Sequence, residues 1–363
     1  MKTGKFGTLQ ALAAEIDRQN ETKRDFVANT RHMTVYPSGT DNPTFTMTSF
    51  LPGIGNEGLV IQPLALEQMA TKSEIPLAYQ RSLLNRKEYD LFAHNVNRLH
   101  HQFPANRMVR ALDGKARAFM SDKYKRIDNF PVLETILPAI LDKGEDLKVE
   151  SCDVTDNNMY LKLVTPKLQG EVKLHQTVQA GLIISNSEVG LGSWRMRMLL
   201  YTLECMNGMI LGKDILPGIE RRHLGAKQHE GILYQEETIV ANQQAFALEA
   251  RDTLNSLLDE GNFQATLEKL RVTTERKMAP KADPTKVVIE LGKTVGFTQS
   301  EGSSIMQHLI RGGDLSQYGL ANAVTRYAQD EEVSYDRSTE LEIIGGKIID
   351  LTGKPLERIL EAA

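Results

Sequence analysis

Arg107-Met-Val-Arg-Ala-Leu112, Asp113-Gly114 and Lys115-Ala-Arg-Ala-Phe-Met120 make up the stretch from which the fold is read. Two short runs flank an Asp-Gly pair. That pair supplies the positive φ angles of a tight type I′ turn, so residues 107–120 are predicted to form an antiparallel hairpin. Upstream, Met33, Val35, Phe45, Met47, Leu59 and Ile61 alternate with polar residues, separated by Pro37-Ser38-Gly39 and a glycine-rich turn at 52–58. This is the pattern of short strands in a meander. Downstream, strand-like runs at 147–154, 159–164 and 171–184, with turns at Asp156-Asn157-Asn158 and 167–170, predict a second, mostly antiparallel sheet region.

Helical spacing surrounds these strands. Thr8 stands as an N-cap before Leu9, Leu12, Ala13 and Ile16, which predicts an amphipathic helix over residues 8–27. A helical region at 64–97 is broken near Pro76 and closed by Pro104, and a further helix is predicted over 131–141. From 237 onward the pattern is almost wholly helical, with segments at 237–258 and 263–274. Two prolines and several charges then mark 276–286 as a linker. Beyond it, Thr298-Gln-Ser-Glu301 fits a capping box for the helix that carries Ile305, Leu309 and Ile310. The expected architecture is α+β: a central, mostly antiparallel sheet with flanking helices in a core domain of residues 1–275, a linker at 276–286, and a helical C-terminal region at 287–363.

The 363 residues carry a net charge of -4, with 25% charged and 41% hydrophobic residues, and no run approaches the roughly 18 apolar residues of a membrane span. No membrane association is expected. The apolar stretch near the N-terminus is interrupted by Glu15, Asp17 and Arg18, so no signal peptide is read and a cytoplasmic location is expected. Cys152 and Cys205 are too few for a disulfide framework and too isolated for a zinc module, and the histidines form no recognisable ligand set. No metal or cofactor is expected. Gly53-Ile-Gly55-Asn-Glu-Gly58 spells a dinucleotide fingerprint, but the strand-like Leu59-Val60-Ile61-Gln62-Pro63 follows where a helix N-terminus would have to receive the pyrophosphate. Gly208-Met-Ile-Leu-Gly212-Lys213-Asp214 is one residue short of a phosphate loop and has Asp where the Mg²⁺-binding hydroxyl belongs.

Local charge is the strongest functional signal. Between 107 and 126, Arg107, Arg110, Lys115, Arg117, Lys123, Lys125 and Arg126 are opposed only by Asp113 and Asp122, inside an acidic chain. Tyr124 lies among three of these cations. Trp194, Arg195, Arg197, Arg221 and Arg222 supply a second cluster. Cations that neutralise phosphates, together with a ring on which a base can stack, are what single-stranded nucleic acid requires.

The segments Arg117-Ala-Phe-Met-Ser-Asp-Lys-Tyr-Lys-Arg-Ile-Asp-Asn129, Gly181-Leu-Ile-Ile-Ser-Asn-Ser-Glu-Val-Gly-Leu-Gly-Ser193, Glu204-Cys-Met-Asn-Gly-Met209 and Arg221-Arg-His-Leu-Gly225 occur in this order. Together they resemble a phage- and plasmid-associated family known as domain of unknown function 932, over about residues 105–330. The resemblance brings no settled activity and no catalytic residues. Its setting in mobile elements implies a DNA-related role, and the sheet-plus-helix layout with a basic hairpin is more distantly similar to phage single-strand annealing proteins. Within the family elements, Glu188 is expected to orient Arg195 or Arg197, and Asn207-Gly208 reads as a turn.

The reading that follows is a non-enzymatic, self-associating protein that binds single-stranded DNA and promotes annealing in phage or plasmid recombination. Arg107, Arg117, Lys123, Lys125, Arg126, Arg195, Arg197, Arg221 and Arg222 are its candidate contacts, with Tyr124 and Trp194 as stacking rings. Two alternatives stand beside it. One is a Mg²⁺-dependent nuclease built on Asp156, Glu171 and Lys173, with the two carboxylates on the metal and the lysine on a phosphate. The other is an interaction factor of a mobile element whose basic patch faces a protein.

Overall fold

The Asp113-Gly114 pair turns as its residue types demand, with φ of 49° and 74°, and joins β5 (Asn106–Leu112) to β6 (Lys115–Ser121). The computed structural model describes residues 1, 4–39, 44–49, 58–124, 126–212, 216, 218–221 and 236–363, without the side chains of 49, 145, 236–240, 242 and 243. Around the hairpin a six-stranded sheet assembles in the order β1-β5-β6-β4-β3-β2, where β1 is Arg24–Asn29, β2 Met33–Ser38, β3 Thr44–Ser49 and β4 Leu59–Ile61. Only β4 and β6 run parallel. β1 corrects the expected helix over 8–27. α1 (Leu9–Thr22) is capped as expected by the Thr8 hydroxyl, which accepts from the Ala11 N–H, but Phe26-Val-Ala28 continues as an edge strand on β5. Three helices, α2 (Pro63–Lys72), α3 (Leu77–Asn85) and α4 (Tyr89–Gln102), cover one face of this sheet and enclose Val35, Met47, Phe92, Val109 and Phe119.

The second sheet follows α5 (Asn129–Leu141) and has the order β11-β10-β9-β8-β7, with β12 (Ile219–Arg221) also on β10. Its strands are β7 (Lys148–Val154), β8 (Met159–Lys173), β9 (Gln176–Asn186), β10 (Trp194–Thr202) and β11 (Asn207–Ile210). The turn expected at 167–170 is absent, because β8 runs through it with a register shift and the chain reverses at Leu174-His175. Asn207-Gly208 likewise is not the turn. It opens β11, and the reversal lies just before it, with Met206 at a φ of 48°.

Alternation along β8 sends Leu161 and Leu163 into the largest core, shared with α1, α5, α6 (Glu236–Leu257) and α7 (Glu260–Glu275). Tyr160, Lys162 and Val164 face the other way, toward α11 (Tyr335–Asp350). The remaining helices, α8 (Pro284–Val295), α9 (Gln299–Gly312), α10 (Gln317–Tyr327) and α12 (Gly353–Leu360), complete an α+β fold with a helical C-terminal part. The predicted capping box at Thr298 and Glu301 opens α9. Residues 276–283 run against the C-terminal helices: Met278 N–H donates to the Leu315 carbonyl, Ala279 N–H to Leu360 and Asp283 N–H to Ala362.

α11 lies so close to β11 that an added Cβ at Gly346 would stand 1.9 Å from the Ile210 carbonyl oxygen. Gly346→Ala should therefore destabilise the protein by about 1–3 kcal/mol through forced separation of helix and sheet. Helix propensity alone would give a gain of about 1 kcal/mol. A thermal melt reads the sign, and a raised midpoint would contradict the close packing.

Candidate nucleic-acid interface

The basic residues of the 107–126 stretch divide among three environments. Arg110 is fully buried, with its Nε donating to Asp25 at 3.1 Å, one terminal nitrogen 2.6 Å from Asp128, and the other donating to the Glu188 carbonyl. Burial alone would raise the Asp128 carboxyl, but Arg110 and Lys23 hold it below the usual carboxylate range. Arg117 is nearly buried on Glu188, and Arg126 is exposed beside Asp25. Tyr124 packs on the cluster of Met108, Ala118, Met120 and Val189, and burial pushes its hydroxyl pKa up. Its ring is thus not the open stacking surface expected. Lys125 and Arg222 lie outside the described residues.

The second basic cluster belongs to the other sheet. Trp194 is fully buried, edge-on to Phe246 at 4.7 Å, so it is a core residue rather than a stacking ring. Arg195 pairs with Glu220 across β10 and β12, and Arg221 lies over the Phe246 ring while pairing with Glu249. Arg197 is half-buried next to Arg195, and burial lowers its pKa.

The Ser-Asn-Ser-Glu-Val-Gly element has a physical role that explains its residue types. Asn186 donates to the Ile127 carbonyl and the Asn129 side chain, and the Ser187 hydroxyl donates to the Asn157 carbonyl. One Glu188 oxygen accepts from the Asn129 N–H at 2.7 Å, at the start of α5, while the other accepts from Arg117. The expected partners Arg195 and Arg197 are not those of Glu188. Gln68 of α2 closes the set by donating to the Val189 carbonyl, and Gly190, at φ 84°, brings the backbone against Met120. The element is a polar knot that fastens the second sheet to the first.

The nuclease constellation does not assemble. Asp156 sits in the turn before β8 and Glu171 near its far end, separated by roughly 40 Å of strand at about 3.3 Å per residue. Lys173 is bound to Asp314 at 2.6 Å. Among the described residues no group of three or more His, Cys, Asp or Glu side chains could hold a metal. A cleft of about 590 Å³ opens between α1, the hairpin tip and the turn at 154–157, lined by Lys5, Arg18, Lys115 and Arg117 but also by Glu15, Glu67, Asp113 and Asp156. Equal numbers of cations and carboxylates do not make a phosphate groove, and Arg18 is already held by Glu15 and Asp113.

Uncompensated positive charge gathers instead at the end of the first sheet away from the hairpin tip. The register Arg107↔Ser121 puts Arg107 beside the strand that leads to Lys123, and Asn29↔Asn106 puts the 3-10 turn Thr30–His32 next to both. Thr30 locks this corner: its N–H donates to the Ala105 carbonyl, and its hydroxyl accepts from the Ala105 N–H. Arg31, His32, His94, Arg98 and His101 are exposed here or along the outer face of α4. None of Arg31, Arg98 and Arg107 has an ion pair with a described residue; Arg107 donates only to its neighbour's carbonyl. Phe103, at the C-cap of α4, is 72% exposed. The field of the corner registers on buried His100, whose pKa is pushed down to about 4 by burial, then by Arg107 and His101. Of the sequence candidates among the described residues, Arg107 belongs to this corner, and Lys123, which has an interaction of its own, lies beside it. Arg31, Arg98 and Phe103 were missed, although residues 91–112 contain no Asp or Glu.

Two sheets, twelve helices among the described residues and the polar knot between the sheets define the class of this α+β protein. The family model described as Domain of unknown function (DUF932) matches residues 117–341, and the chain belongs to that family. Neither the curated proteins nor the solved structures contain a match. Among the described residues, no helix is long and apolar enough to cross a membrane.

Proposed function

We propose that this protein binds single-stranded DNA at the corner formed by Arg31, Arg98, Phe103, Arg107 and Lys123, and that strand annealing by neighbouring copies in phage or plasmid recombination is the process this binding serves. One observation carries the reading: a solvent-facing phenylalanine shares this corner with arginines that no carboxylate among the described residues neutralises. Backbone phosphates pair with free guanidinium groups, and an exposed ring offers a stacking platform to any base. Cations already bound to Asp25, Glu188, Glu220 or Glu249 would have to surrender those partners first.

Phe103→Ala tests the stacking part. The side chain is largely in solvent, so the fold should be unaffected, while the loss of one stacked base, worth about 1–3 kcal/mol, should weaken binding to labelled oligodeoxythymidine about tenfold. Fluorescence anisotropy reads the effect. Unchanged affinity would remove Phe103 from the interface.

A further inference from the structure

The open face that begins at Phe103 continues along α4. Leu91, His94, Arg98 and His101 are exposed at intervals of three and four residues, opposite the buried Phe92, Ala93, Val96 and His100, so they form one outward stripe. Two asparagines mark its flanks. Asn97 faces β2, where its side chain accepts from the Val35 N–H at 2.8 Å and donates to the Val35 carbonyl at 2.7 Å. Asn95 faces α3, where its Nδ2 donates to the Tyr79 hydroxyl at 3.4 Å. Tyr79 stands in the first turn of α3 and is 44% exposed. A second open ring therefore borders the helix face that leads to Phe103, and Arg98 lies between the two along the helix. Phe103 is eight residues beyond Asn95 in sequence. At about 1.5 Å of rise per residue this is about 12 Å, the length of about four nucleotides at about 3.4 Å each. Acids stand at the far end of the stripe: Glu88 and Asp90 open α4 beyond Asn95, while Glu74, in the turn leading to α3, is accompanied there by exposed Lys72.

We propose that a bound strand runs from Phe103 along the outer face of α4 and stacks a second base on Tyr79, which makes the preferred substrate a single strand of at least about four nucleotides. This path rests on the reading of the corner as a site for single-stranded DNA and extends it to α3. Arg98 pairs with a phosphate between the two stacked bases, and Asn95 steadies the Tyr79 ring against α4. Glu88 and Asp90 repel phosphates beyond that point, so the strand leaves the helix at Tyr79 instead of following α4 to its start. Two stacking positions with a cation between them are tolerant of sequence, because every base has a face to offer.

The test measures fluorescence anisotropy of the full chain at low salt with labelled oligodeoxythymidines from about two to about twelve nucleotides long, in wild type, Tyr79→Ala, Tyr79→Phe and Phe103→Ala, each checked for folding by circular dichroism. In wild type the affinity should rise steeply up to the length that bridges both rings, about four to six nucleotides, and then level off. Tyr79→Ala should bind the longest strand about tenfold more weakly and lose the rise at that length, while Tyr79→Phe, which keeps the ring, should retain both. An unchanged affinity of folded Tyr79→Ala for the longest strand, with Phe103→Ala weakened, overturns the path and leaves the corner standing. A loss in Tyr79→Phe equal to that in Tyr79→Ala overturns stacking as the role of Tyr79. No binding by the wild type, or full affinity in Phe103→Ala and Tyr79→Ala alike, removes the corner reading and the path together.

Discussion

Lys162→Met is expected to lower the unfolding free energy by about 3–5 kcal/mol, because it strands a carboxylate in the interior. Lys162 Nζ stands 2.6 Å from Glu342 Oε2, and both side chains are wholly excluded from solvent. The ammonium also lies 4.9 Å from the centroid of the Tyr335 ring, whose hydroxyl is hydrogen-bonded to Ser151 at 2.6 Å. Little else is available to Glu342: Gln329 approaches its other oxygen at 3.4 Å, and an added Cβ at Gly208 would lie 3.2 Å from it. Removing the lysine alone therefore leaves a buried carboxylate without its hydrogen-bonded cation, and among the described residues the mostly buried Met1 ammonium is the charge left near it. Removing both should restore much of the loss, since well-packed apolar residues replace a buried ion pair at little or no net cost. The paired result, a large loss in Lys162→Met and recovery in Lys162→Met with Glu342→Met, is read by urea denaturation. Equal losses in the single and double variants would show that the pair does not bind β8 to α11 as described.

The second large effect is expected at the knot between the sheets. Arg110→Met removes the one cation that reaches Asp25, Asp128 and the Glu188 carbonyl together, and should cost about 3 kcal/mol, somewhat less than at Lys162 because Arg126 and Lys23 still face the two aspartates. The same knot gives the wild-type protein a pH dependence of defined sign. The Asp128 carboxyl is held below its ordinary value in the folded state, so its contribution to stability is present above the unfolded-state pKa of about 3.9 and is lost as pH falls from there through the folded value. In Arg110→Met this acid-linked component should shrink, so the variant and the wild type should differ less in stability at pH 3 than at pH 7. A constant difference across that range would contradict the electrostatic account of the knot.

The parts of this fold that were legible in the sequence rest on local chemistry. Asp113-Gly114 could only turn one way, Thr8 and Thr298 capped the helices that follow them, and the alternation of 147–154 and 159–164 marked strands of the second sheet. What was not legible depends on partners far along the chain. The positive charge of 107–126 is visible in any local count, but the acids that consume it come from Asp25 in β1 and Glu188 after β9. β1 itself was hidden because no Gly or Pro separates Phe26, Val27 and Ala28 from the preceding helix; the polar stretch from Asp17 to Asp25 between them contains no helix breaker. Trp194 and Tyr124 have the residue types of stacking rings, and only three-dimensional packing shows that both point inward. Phe103, a lone aromatic before a proline, carries no motif. Its signal was the acid-free run around it, with His94, Arg98 and His101 spaced along one face of α4.

The proposal that this corner binds single-stranded DNA is tested most directly by the salt dependence of binding in wild type and in the double variant Arg31→Gln, Arg107→Gln. Each cation that neutralises a phosphate contributes about 0.7 to the slope of log affinity against log salt on a single strand, so the variant should lose about 1.4 from that slope along with affinity. An unchanged slope in the variant, or no binding by the wild type at low salt, would contradict the account.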